Sequence, residues 1–151
     1  MKYEIGKERH YNEYYGKVEE KPVVRWEVLD IAKEQDIYLE FVSTNSKYKQ
    51  GIRLAIDTGK GYIEIDGEQY KGVRLWEDTC PKSIKFRCVS SEGKLSIYNI
   101  FDMGPERGGV HSLVDSSGML VEEIDGYIVY RCNDAGFKTE FNSLEFRIKL
   151  L

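Results

Sequence analysis

Ser112 and His111 are adjacent within residues 102–117, with Asp102 and Asp115 close by. A serine, an imidazole base and an orienting carboxylate are what nucleophilic acyl transfer requires, provided that the three converge in space. Neighbours within one loop seldom converge, and no Gly-x-Ser-x-Gly turn presents the serine. His111 is therefore expected as a loop histidine that could touch a ligand, and not as a catalytic base. Gly104, Gly108 and Gly109 lack the Gly-Lys-Ser/Thr that grips phosphate and magnesium, so they are expected to turn the loop. Asn133, Asp134 and residues 140–142 could offer oxygens to a calcium ion, but such residues are also ordinary turn formers. Glu122 and Glu123 are adjacent on a strand and point to opposite faces, so they cannot act as acid and base on one bond. Cys80, Cys88 and Cys132 show no Cys-x-x-Cys spacing, and His10 is the only other histidine. No metal and no cofactor is expected.

Binding residues are easier to find than catalytic ones. If the strand phase shifts by one residue at Gly72, Arg74 and Trp76 become an outward pair. Lys85, Arg87 and Tyr98 fall on polar strand faces, and Asn99 places an amide on an otherwise apolar face. Exposed Trp, Tyr and Arg are the usual anchors of an interface. The plainer alternative is a solvated sheet face, a Trp covered by the N-terminal arm, and a buried Asn bonded to neighbouring backbone.

The elements that must carry these residues read as strands. Segments 119–124 and 127–132 flank Asp125 and Gly126, and Asp-Gly is a strong hairpin signal because both residues tolerate positive φ. A two-residue turn sets Ile124 opposite Tyr127, Val121 opposite Tyr130 and Met119 opposite Cys132, with Ile128 on the same inward face. Leu144, Phe146, Ile148 and Leu150 alternate with polar residues, as in a strand with one face in a core. Asp66 and Gly67 predict a second hairpin, pairing Ile65 with Glu68 and Ile63 with Tyr70. A four-residue loop, 90–93, predicts a third that sets Cys88 opposite Leu95, Phe86 opposite Ile97 and Ile84 opposite Asn99, leaving Lys85 and Arg87 beside Tyr98. Ile37, Leu39 and Phe41 alternate, as do Ile52, Leu54 and Ile56, and Val24, Trp26 and Val28.

Residues 1–21, with Tyr3, Tyr11, Tyr14 and Tyr15, are expected as a polar arm and residues 22–151 as a single domain. About nine strands without a long helix predict an antiparallel jelly-roll-like β-sandwich, with a closed β-barrel as the alternative. A chain of 151 residues can bury its own core. With 22 basic against 26 acidic residues it lacks the excess of positive charge typical of a duplex-binding protein, and no apolar run is long enough to span a membrane as a helix. The N-terminus lacks a signal-peptide pattern, and an odd number of thiols fits a reducing compartment, so a cytosolic location is expected. The resulting functional expectation is a non-enzymatic module that binds another protein, in an inhibitor-type or immunity-type role. Carbohydrate binding through an outward Trp and hydrolysis by the 102–117 loop are the alternatives.

Overall fold

The structure, a computed structural model, describes residues 5–151; residues 1–4, with Tyr3 of the arm, lie outside it. It is all-β and antiparallel. The described residues form thirteen strands, more than the sequence suggests because several are only two or three residues long. They are β1 (His10–Tyr11), β2 (Val24–Asp30), β3 (Glu34–Thr44), β4 (Lys49–Ala55), β5 (Gly61–Ile65), β6 (Glu68–Tyr70) and β7 (Gly72–Trp76). There follow β8 (Ser83–Ser90), β9 (Lys94–Asp102), β10 (Val110–Ser112), β11 (Gly118–Ile124), β12 (Tyr127–Asn133) and β13 (Leu144–Leu150). Eleven of the strands follow the order β6-β5-β8-β3-β13-β12-β11-β2-β9-β4-β7, with β1 added on β2 and β10 on β9, in one sheet nearly closed into a barrel, the second of the two architectures expected.

Alternation builds the interior. Ile37, Leu39 and Phe41 of β3, Ile52 and Leu54 of β4, Phe86 and Cys88 of β8, Leu95 and Ile97 of β9, and Leu144, Phe146 and Ile148 of β13 share one buried core. Each set has the two-residue period that puts alternate side chains on one face. Leu150 keeps the inward phase but is 37% exposed, because β13 there runs out to the barrel rim.

The two Asp-Gly hairpins have the expected register: Ile124 pairs with Tyr127, Val121 with Tyr130 and Met119 with Cys132, while Ile63 pairs with Tyr70 and Ile65 with Glu68. Asp66, Gly67, Asp125 and Gly126 all have positive φ, as this turn requires. Met119, Tyr130 and Cys132 are fully buried, and Val121 and Ile128 pack against the same core.

The third expected hairpin does not form. β8 pairs with β3 and β5, whereas β9 pairs with β2, β4 and β10, so Ile84 lies opposite Leu39 and Asn99 opposite Ile52. Residues 90–93 form a corner between walls. Ser90 N donates to Lys33 O and Ile31 N to Gly93 O, so each end of the corner is held by the β2–β3 connection, while across the corner itself Lys94 N donates to Ser90 Oγ at 3.1 Å without starting a β8–β9 ladder.

The described part of the arm, residues 5–21, lies on the barrel. Asn12 Nδ2 donates to Asp115 O and Ser117 O, each at 2.8 Å, and Tyr15 Oη to Ser116 O at 3.0 Å. Val18 is buried with Val23, Leu120 and Phe141 in a second, smaller apolar cluster.

Candidate functional site

Lys71 separates β6 from β7, and the chain bends there from one side of the nearly closed sheet to the other. Its carbonyl accepts from Ile56 N at 2.9 Å, which anchors the bend to the end of β4. The strand phase restarts at Gly72, so the shift expected there is achieved by ending one strand and beginning another. Val73 lies opposite Leu54 and Leu75 opposite Ile52, both inward, while Arg74 lies opposite Arg53 and Trp76 opposite Gly51, both outward. Among the described residues β7 has a strand partner, β4, on one side only. Beside its open edge runs a groove of about 480 Å³, lined among others by Ile65, Glu68, Tyr70, Val73 and Leu75.

Charge at this edge is unevenly compensated. Arg53 is held by Asp57 through two bonds of 3.0 and 3.1 Å, and these bonds raise the guanidinium pKa. Arg74, directly across the ladder, is exposed and among the described residues has no ion-pair partner. Trp76 is half-buried on the outer surface. Its ring lies against Gly51, where an added Cβ would sit 2.7 Å from the indole, and Lys49 Nζ is 4.9 Å from the ring centroid.

Of the other expected contact residues only Tyr98 shares a wall with this pair: it lies opposite Arg53, whose guanidinium is 5.4 Å from its ring centroid and which separates it from Arg74. Lys85 and Arg87 stand on β8, on a different wall from Tyr98 on β9, so the combined basic and aromatic face does not exist; it depended on a β8–β9 ladder that is absent. Arg87 bonds Asp36 at 3.0 Å, and Tyr98 packs edge-on against Trp26 at 5.1 Å. Asn99 is buried and donates to Asn133 O at 2.9 Å, a structural role. His111 Nε2 lies 2.8 Å from Arg107 O, and its ring stacks on Phe101 at 6.0 Å. Asp102 accepts from Gly104 N at 2.8 Å. These partners tie the loop to itself and to the barrel.

Two polar constellations go beyond the sequence reading, which named only Asp134 of the second, as an oxygen ligand. The first follows from a bulge in β2: His10 pairs with Trp26 and Tyr11 with Val24, leaving Arg25 as an extra residue. Beyond it the inward positions are Glu27 and Leu29, not Val28 as simple alternation from Val24 implies. Glu27 is thus a buried carboxylate, held by Arg9 through two bonds of 2.7 Å and by Tyr130 Oη at 3.1 Å. The bonds to Glu27 raise the Arg9 pKa, while burial, reinforced by the nearby carboxylate, pushes the Tyr130 phenol well up. The only sequence sign was an acidic residue inside an apolar strand, which reads equally well as an outward position.

The second constellation surrounds Asp134, which is fully buried. Burial pushes its carboxyl up, but donation from Lys138 at 2.9 Å, from Ser46 and from Gln50 at 2.9 Å outweighs this and holds it below the usual range. These donors occupy the oxygens that a calcium ion would need. Among the described residues no group of three or more His, Cys, Asp or Glu side chains is placed to hold a metal, and no helix is long and apolar enough to cross a membrane. Comparison with protein-family models, with curated proteins and with solved structures finds no match for this chain.

Proposed function

We propose that this protein is a non-enzymatic binding module that docks an extended segment of another protein along the open edge of β7. The observation that carries the reading is a strand paired on one side only, with an exposed Arg74 at its centre, a half-exposed Trp76 at its end and a groove alongside. An added strand gains main-chain hydrogen bonds along such an edge, and pockets for alternate side chains set its specificity. A second copy of this chain is a poor occupant, because antiparallel self-pairing centred on Arg74 sets two guanidinium groups opposite each other, and like charges so placed repel. The partner segment accordingly carries a carboxylate facing Arg74. A cytosolic setting is consistent with three free thiols, two of them buried.

The test is affinity capture from the native cell, comparing the wild type with Arg74→Glu, Trp76→Ala and a Glu123→Lys variant at the exposed end of β11, on the remote wall. A protein retained by the wild type and the remote variant but lost from both edge variants supports the proposal. Capture that ignores the edge substitutions, or is lost only on the remote wall, refutes it.

A further inference from the structure

At the bulge in β2 the sheet splays. β9 pairs with β2 only from Glu27 to Asp30, and beyond that β1 pairs with β2 and β10 with β9. A pocket of about 320 Å³ opens at this splay, lined by Ile5, His10, Tyr11, Arg25, Trp26 and Leu113. Its walls are aromatic and aliphatic, and Ile5 and Tyr11 remain 60% and 45% exposed beside it. Two of its residues carry buried donors without partners among the described residues: Arg25 Nε and Trp26 Nε1. Buried polar groups are nearly always hydrogen-bonded, so two orphaned donors on adjacent residues of one pocket ask for an acceptor. The rest of the Arg25 guanidinium does not satisfy that need. Its Nη2 donates to Leu113 O and lies 3.7 Å from the exposed Asp115 carboxylate, and Nε has no partner among the described residues.

We infer that this pocket binds a small carboxylate carried on an apolar ring or chain, its oxygens accepting from Arg25 Nε and Trp26 Nε1 and its apolar body resting against Tyr11, Ile5 and Leu113. A guanidinium favours a carboxylate over a neutral acceptor through charge-assisted hydrogen bonding. An apolar pocket with a few convergent polar groups is the usual form of a small-molecule site. The site is independent of the β7 edge, since its residues belong to other strands and to the arm.

The chain has two tryptophans, so ¹⁵N-labelled protein gives two indole N–H resonances, which Trp76→Phe assigns. The probe is 3-phenylpropionate, with 3-phenylpropan-1-ol as its neutral counterpart. The proposal predicts a saturable shift of the Trp26 resonance with the acid, the Trp76 resonance staying in place, and affinity for the alcohol about ten-fold weaker. Arg25→Gln should weaken binding of the acid about ten-fold while the dispersed amide spectrum persists. A Trp26 resonance that stays put up to about 10 mM acid, equal affinities for acid and alcohol, or unchanged binding by a folded Arg25→Gln protein overturns it. If Arg25→Gln loses its fold, the wild-type comparison of acid with alcohol decides.

Discussion

Glu27 is 1% exposed at its side chain, and a carboxylate so buried is tolerable because Arg9 meets both of its oxygens at 2.7 Å and supplies the opposite charge, with Tyr130 Oη adding a neutral donor at 3.1 Å. Removing one partner of a buried pair leaves the other charge uncompensated, and that penalty exceeds the net worth of the pair. Arg9→Ala is therefore expected to cost about 3 kcal/mol in urea denaturation, although Arg9 lies in a polar arm and is itself 36% exposed. A loss below about 1 kcal/mol would show that Glu27 has another route to compensation. Asp134 gives a pH-dependent counterpart. Its folded pKa lies below its unfolded one, so its contribution is fully present above the unfolded carboxylate value, near 3.9, and is lost as pH falls through the folded value. The Asp134→Asn variant should lose less stability than the wild type between about pH 4 and pH 2; parallel profiles would mean that Asp134 is not depressed.

Gly51 shows how one missing side chain fixes the relation of two strands. A Cβ there would lie 2.7 Å from both Leu75 O and the Trp76 ring, one of them backbone that cannot swing aside. Gly51→Ala should push β7 from β4, cost about 1 to 3 kcal/mol and change the Trp76 fluorescence; a neutral substitution with unchanged emission would refute the close packing of β7 on β4. Legibility at this scale follows from how local each determinant is. The Asp-Gly hairpins and their registers were readable because the turn residues dictate both, and the alternation of β3, β4 and β13 named its buried side chains directly. The β8–β9 connection was misread because Ser90 to Gly93 announce a reversal without naming the partner of either strand. Those partners, β3 and β5 for one strand and β2, β4 and β10 for the other, are set by contacts outside the turn, and the composite site of Lys85, Arg87 and Tyr98 fell with the pairing. The β2 bulge was equally hidden, since Arg25 is an extra residue only relative to β1. Arg74 and Trp76 were placed outward because the mismatch between two apolar phases could be counted along the chain itself.

Over the whole molecule, β6 and β7 are the two ends of the sheet and are also consecutive in the chain, joined through Lys71. A closed barrel has no edges to manage, but this one keeps a short edge at β7, with a charge at its centre, the kind of device that keeps an edge from aggregating. The proposed docking makes that edge the place where the barrel is completed by another chain. Photo-crosslinking in the native cell tests this most directly, with p-benzoylphenylalanine in place of Tyr70 in the groove or of Ile124 at the β11–β12 turn, both exposed positions. A single discrete adduct from position 70, absent from position 124 and abolished by Arg74→Glu, is the predicted result. No adduct from position 70, equal adducts from both positions, or an adduct that survives Arg74→Glu would contradict it.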